Sequence, residues 1–306
     1  MNMMKKNQIR PLAATLILAT ALTTQSNAGE RWYTSATIST LSAVYSSSEQ
    51  RNSQRSNSLL LTSDYLDRFG AALFYNASTI DFKAINGIDS DINQTTVAGR
   101  LHYRFFSDLL HGSLTPQITL HSISNDDATK LSDGITAIAT KLTYINNRRT
   151  RSLDFEYTLS RYPNNSDLEI GQWSASAGLP LGRRSWLTIT PTLIQSSNSD
   201  LTQGEARFNS IKLDWLHWFG PDAVLGLRQI SVSLMGGERM YAVDNASFSV
   251  YNLADRQEGS LQLGAIWRPI HALDIATLLG SERYNNTTIN NQYSQNYLYL
   301  SLTKHW

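Results

Sequence analysis

Residues 295–306 read QNYLYLSLTKHW. Leu298, Leu300, Leu302 and Trp306 fall on one parity of this stretch, and Tyr297, Tyr299, Ser301, Thr303 and His305 on the other. Successive side chains of an extended strand point to opposite faces, so the stretch predicts a ribbon with one apolar and one polar side. Lys304 sits on the apolar parity, where a long side chain can lay its stem on apolar surface and carry its ammonium to water.

The other end of the chain adds a second signal. Residues 1–28 open with Lys5, Lys6 and Arg10, continue with an apolar run over 12–22, and close on Ser26-Asn27-Ala28. Small residues stand at the two positions a signal peptidase inspects. The run is too short to span a bilayer, and no cysteine follows it. A cleaved signal peptide over 1–28 and an exported domain over 29–306 are expected. An exported chain whose last strand is amphipathic and ends in an aromatic residue resembles the Gram-negative outer-membrane β-barrels. In that class the C-terminal strand is the signal read by the barrel-assembly machinery; Phe is usual in last place and Trp is the less common variant. Here Leu298, Leu300, Leu302 and Trp306 carry the resemblance. It implies outer-membrane lipids and lipopolysaccharide as surroundings and the assembly machinery as a partner.

Composition narrows the chemistry. The chain contains no cysteine, which excludes disulfides, thiol catalysis and cysteine-ligated metals. Its formal net charge is +1, with basic residues scattered along it, so no nucleic-acid footprint is present. Past the leader no apolar run approaches the length of a spanning helix. A closed barrel is the other structure that satisfies every backbone group in lipid, and its alternation hides its hydrophobicity from averaged hydropathy.

Strand-like segments recur at even spacing: 32–46, 58–66, 71–82, 93–104, 113–124, 134–145, 152–161, 170–179, 185–195, 206–218, 223–234, 259–267, 273–280 and 295–306. The fold expected is all-β, a transmembrane antiparallel up-and-down barrel of about fourteen strands (12–16), each near the length a tilted membrane strand needs. Alternation is clean over Thr95–Arg104, where Val97, Leu101 and Tyr103 oppose Ala98, Arg100 and His102. It is equally clean where Leu153, Phe155, Tyr157 and Leu159 oppose Asp154, Glu156, Thr158 and Ser160. The segment 223–234 changes phase between Leu227 and Ile230, as a β-bulge would make it do. Short connections at 67–70, 105–112, 146–151, 180–184, 219–222 and 268–272 alternate with long polar ones at 47–57, 83–92, 125–133, 162–169, 196–205, 235–258 and 281–293. Outer-membrane barrels sort their loops in this way, with short periplasmic turns and long outer loops. Trp32, Trp186, Trp215, Trp218, Trp267 and Trp306 lie near the short-turn ends, joined by Tyr65, Tyr103, Phe105, Phe106 and Tyr144. That placement predicts an interfacial girdle.

Polar-parity residues should face the lumen. The basic candidates are Arg100, His102, Arg104, Lys141 and Lys212, and the acidic ones are Asp154, Glu156 and Asp214. Charges there must be hydrated or paired. On separate sectors of the wall they would set up a transverse field across an open pore, and paired they would help to close it. The connection 235–258 is the longest, and Gly236-Gly237 would let it bend inward as a constriction loop.

Catalytic readings fit poorly. Outer-membrane phospholipases carry His-x-Ser on a lipid-facing strand, whereas the residue two after His121 is Ile123 and His121 has polar parity. Asp126-Asp127 resembles half of an outer-membrane protease site, without the Asp-His partner. Asp89-Ser90-Asp91 lacks the further oxygen ligands of a calcium loop. No cofactor motif is present. The leading expectation is a porin-like channel for small hydrophilic solutes. A helper or scaffold barrel for export or assembly of an envelope polymer or lipoprotein is the alternative, and a hydrolase in the barrel wall comes third. If the last strand is the assembly signal, Trp306→Asp abolishes membrane insertion and leaves degraded or periplasmic chains, as fractionation and immunoblotting would show; normal insertion refutes the reading.

Overall fold

The structure, a computed structural model, describes residues 32–83, 91–126, 131–220, 222–250 and 255–306. The expected leader, Asp89, Ser90 and Asp127 lie outside the described residues. The strands are β1 (Trp32–Ser46), β2 (Arg51–Tyr65), β3 (Phe69–Phe82), β4 (Ile92–Tyr103), β5 (Phe105–Ser107), β6 (Gly112–Asn125), β7 (Ile135–Asn146), β8 (Ser152–Tyr162) and β9 (Leu168–Pro180). They continue as β10 (Ser185–Ser196), β11 (Arg207–Trp218), β12 (Leu227–Arg239), β13 (Val243–Asp244), β14 (Ser249–Val250), β15 (Arg256–Ile270), β16 (Leu273–Asn286) and β17 (Asn291–His305).

All except the hairpin β13–β14 belong to one antiparallel sheet in which each strand pairs with its neighbours in sequence. β4 and β5 are one stave interrupted at Arg104, and both pair with β6. The last stave returns to the first: β17 pairs with β1 from Ser35↔His305 to Ser46↔Ser294. The result is a closed barrel of 14 staves. Trp306 continues the seam, its N–H donating to the Thr34 carbonyl at 3.0 Å. Beside it Asp274 holds both His305 (3.0 Å) and Arg268 (2.6 Å).

Burial is inverted relative to a water-soluble fold. Val97 and Leu101 on β4, Leu153 and Phe155 on β8, and Leu298 and Leu300 on β17 are exposed, while Thr96, Thr158, Ser160 and Gln295 on the opposite parity are buried. Leu302 keeps the outward parity and is half-buried. A continuous apolar outer surface costs about 25 cal/mol per Å² in water, and that cost disappears in lipid. The register shift between Leu227 and Gln229 places a β-bulge where the alternation of β12 slips.

Several staves run past their predicted ends. The segment expected as a loop over 47–57 is a hairpin between Ser46 and Arg51, and 281–293 is paired strand except around 287–290. Here the outward positions turn polar as well, with exposed Arg55, Asn57 and Arg283. A strand with two polar faces carries no alternation and is indistinguishable from loop in sequence, yet its backbone ladder is complete. These extensions lift the wall above the apolar belt. At the opposite end the turns are tight. Leu66 and Asp67 both have positive φ (49° and 55°), and Arg68 N–H donates to the Tyr65 carbonyl at 2.9 Å, a tight turn inside a three-residue connection closed by the Tyr65↔Phe69 pair.

The girdle at this end includes Trp32 against Tyr65 (4.9 Å between centroids) and Tyr103 against Phe105 (4.6 Å). Trp186 departs from it, because its parity is inward and its indole lies against Gly178.

Gly236 and Gly237 belong to the wall of β12 and not to the connection that follows. Gly237 has φ +93°, and a Cβ there would strike the Asn209 carbonyl of β11. It forms the register shift between Gly236 and Arg239, whereas Gly236 faces open space. The inward turn comes three residues later, at Met240. A closed ladder resists detergent until heated, so unheated protein should migrate faster on gels than boiled protein. Gly237→Val forces a β-branched residue into a conformation costing about 1–3 kcal/mol and into that carbonyl, and should lower the temperature at which the compact band converts. An unchanged conversion temperature would show that the bulge does not constrain the wall.

Candidate functional site

After Arg239 the chain leaves the wall and enters the lumen. Met240-Tyr241-Ala242-Val243 is an apolar run inside a polar connection, and all four residues are buried. Met240, Tyr241 and Ala242 pack in one cluster with Ile123, Ile135, Tyr162, Leu168, Ile170, Ile194 and Phe208. Those partners project from the upper inner faces of β6 to β11, so the loop leans on that sector. Tyr162 and Tyr241 meet edge to face at 4.9 Å.

Polar contacts hold the loop in place. Gln172 on β9 clamps Val243, its amide donating to the carbonyl at 2.8 Å and its oxygen accepting the N–H at 2.9 Å, which copies a strand pair with one side chain. Asn245 is the hub. Its amide nitrogen donates to Glu156 at 2.8 Å and to Thr158 at 3.1 Å. Its side-chain oxygen meets His121 Nε2 at 2.9 Å, and its backbone carbonyl accepts from Arg100. Phe248 lies beside the Arg100 guanidinium, 4.0 Å from its carbon, and stacks on Phe74 at 5.1 Å and 11°. At the other end of the loop, buried Asp255 pairs with Arg51 and accepts from Tyr293 at 2.6 Å. Burial would raise the Asp244 carboxyl, but Lys212, Arg239 and the backbone N–H groups of Ser247 and Ala246 hold it below the usual carboxylate range.

The eight charged residues expected in the lumen all project inward by register, except that Arg104 lies at the rim between β4 and β5. They do not face one another across an open pore. Lys141 pairs with Asp154 at 3.2 Å on the neighbouring stave, and Lys212 with Asp214 at 3.2 Å. His102 meets Asp64 at 3.2 Å, and Arg104 is bound to Asp67 in the β2–β3 turn. Arg100 and Glu156 are taken up by the loop. Local pairing therefore replaces the transverse field that segregated charges would produce. Asp126 caps the start of β4, accepting from Asn93 N at 2.6 Å and from its side-chain amide at 2.8 Å. Among the described residues no group of three His, Asp or Glu side chains could hold a metal ion.

Because the loop occupies one sector, a cavity of about 470 Å³ remains on the other, between its tip and the inner faces of β1 to β4 and β15 to β17. Its lining mixes hydroxyls and amides such as Ser39, Ser58, Asn76, Gln94, Thr96 and Gln262 with aromatic rings and with the aliphatic Leu41, Leu60, Ile80 and Leu278. Among the described residues no Lys or Arg lines it, and its charged lining residues are Asp244 and Glu282. Towards the tight-turn end the inner wall continues in paired hydroxyls: Ser35–Thr62 (2.7 Å), Thr37–Thr303 (2.8 Å) and Ser176–Thr190 (2.9 Å). Asn245, Phe248, Gln172, Arg51 and Asp255 were absent from the sequence expectation. Only the buried run 240–243 carried a signal, since apolar residues in a polar connection need somewhere to be buried.

The fold is shared with known structures. The Pseudomonas putida toluene transporter TodX is similar with a TM-score of 0.57, 8% identity and 90% of each chain covered. A Pseudomonas aeruginosa FadL homologue is similar at 0.52, with 8% identity and 90% of each chain. A bacterial polysaccharide outer membrane secretin is similar at 0.50, with 9% identity, over 89% of this chain and 98% of that one. The chain thus has the closed-barrel fold of these outer-membrane proteins. No protein-family model and no curated protein sequence matches it, and these structural likenesses extend to the fold alone.

In this barrel the inward loop depends on Asn245. Asn245→Leu strands Glu156, Thr158 and His121 at buried or half-buried positions while keeping the backbone carbonyl that Arg100 meets, a cost of about 2 kcal/mol in loop docking. Amide hydrogen exchange over 240–250 should accelerate by about 30-fold, with the wall unchanged. Exchange at the wild-type rate would show that the apolar cluster alone holds the loop.

Proposed function

We propose that this barrel is a porin-like channel for small hydrophilic solutes, with the inward segment 240–250 as its constriction. The observation that supports it most is the uncovered sector of the lumen, a hydroxyl- and amide-lined path beside a loop that fills only the opposite sector. TodX is by its name a toluene transporter. An apolar solute in this path would leave many polar groups unpaired, at about 1–3 kcal/mol each. A hydrated polar solute would exchange water hydrogen bonds for wall hydrogen bonds at little net cost. The proposal involves no catalytic step, and the His121 ring is occupied by Asn245.

The surroundings follow from the outer face. Leu298, Leu300 and Leu302 contact lipid, and the last strand with Trp306 is the segment offered to the assembly machinery. Exposed Arg55, Arg207 and Arg283 stand on the polar extensions above the belt, placed to meet the anionic groups of lipopolysaccharide.

Planar-bilayer recording of the purified protein tests the channel. Steady ion conductance is expected, with little selectivity between anions and cations because the wall charges are paired. Replacing 240–254 with a short Gly-Ser connection should raise conductance while heat-modifiable migration persists. If the wild-type and shortened proteins are both silent, the channel reading fails and the helper-barrel alternative replaces it.

A further inference from the structure

We infer that the cavity beside the loop tip is a binding site for a neutral polyhydroxylated solute of mono- or disaccharide size, an inference that rests on the channel reading and names its substrate class. Four observations converge. First, Ser58, Asn76, Gln94 and Gln262 present hydroxyl and amide groups that both donate and accept, matching a ligand whose hydroxyls do the same. Second, among the described residues the lining holds no cation, so an anionic solute would find two carboxylates and no cationic group to contact. Those carboxylates are already engaged: Asp244 accepts from the N–H groups of Ala246 (3.0 Å) and Ser247 (3.3 Å), and Glu282 accepts from the Tyr284 hydroxyl. Lys212 and Arg239 act on Asp244, and Arg239 on Glu282, so a cationic solute finds little net charge.

Third, half-buried Tyr299 on β17 puts an aromatic ring among these amides, whereas the Phe248 ring is buried against Arg100 and Phe74 and serves as a wall. The negative face of an aromatic ring attracts weakly positive C–H edges, which a sugar ring presents on one side while its hydroxyls project around the rim. A linear ion or an inorganic anion uses neither feature. Fourth, a volume of about 470 Å³ lies within the range of small-molecule sites. It is formed partly by Phe248, which Arg100 and Phe74 hold in place. The loop that narrows the lumen thus also supplies one wall of the site.

The test uses the purified full-length protein in planar bilayers, with maltose, sodium gluconate and toluene as separate probes. Maltose should reduce the ion current saturably. Asn76→Leu with Gln94→Leu should raise the half-blocking concentration at least about tenfold, equal to a loss of about 1.4 kcal/mol, with block read as a fraction of the variant's own open current and with heat-modifiable migration retained. Gln262→Leu provides the same readout if the double variant does not fold. A maltose effect that only follows solution viscosity, or saturable block by gluconate or toluene in its place, would overturn the inference while leaving the channel standing. A silent wild-type barrel would remove the channel reading, and calorimetric titration with maltose would then judge the site separately. Saturable heat lost in the variant supports the site, and no heat overturns it.

Discussion

Pairing of β1 with β17 is the interaction on which the rest depends. In lipid an unpaired strand edge would leave a row of N–H and C=O groups with no water to meet them, each costing several kcal/mol. Twelve consecutive register partners between Ser35↔His305 and Ser46↔Ser294 remove that edge. Once the sheet closes, inner and outer faces are assigned for every stave, because a one-residue slip anywhere would turn its whole set of side chains over. The bulges near Leu227 and Gly237 are the places where β12 changes phase, and each sits near an end of that strand, where the belt is least affected.

Closure creates a second constraint inside. A barrel that turns its apolar side chains outward has no conventional core, so the lumen must be stabilised by pairing, by water or by something inserted. Here part of it is filled by a loop that carries its own apolar run. Met240, Tyr241 and Ala242 meet Ile123, Leu168, Ile170 and Phe208, a small core transplanted to the upper half of the barrel. The polar pins around it are interdependent. With Asn245 present, Arg100, His121, Glu156 and Thr158 have a common partner; without it several would be stranded at once. Networks of this kind specify one docked position more sharply than apolar contact does.

The wall was legible in the sequence because lipid imposes a strict period of two. Val97, Leu101, Leu153, Phe155, Leu298 and Leu300 stand outward as their parity requires. The upper strand ends were not legible. Above the belt the outer face meets water, so Arg55 and Asn57 or Arg283 and Asn285 occupy positions that would be apolar lower down, and the periodic signal vanishes while the hydrogen-bond ladder continues. The partners of the inner charges were illegible for a different reason. Lys141 and Asp154 are adjacent through pairing between staves, and Arg100 with Asn245 through a contact spanning 145 positions. Parity says which face a residue occupies and nothing about which neighbour it reaches.

The asymmetry of the lumen follows from where the apolar inner residues lie. On the upper halves of β6 to β11 the inward set includes Ile123, Ile135, Leu168, Ile170, Ile194 and Phe208, whereas on β1 to β4 and β17 it includes Ser39, Ser56, Ser58, Asn76, Thr96 and Gln295. An amphipathic loop released into such a barrel gains apolar burial on one sector and would forfeit wall hydration on the other. It therefore settles to one side and leaves the hydroxyl-lined sector open. The selective element is consequently distributed around the ring. The apolar sector decides where the loop rests, Asn245 and Phe248 decide how far its tip reaches, and the hydroxyl- and amide-rich sector decides the chemistry of whatever occupies the remaining space.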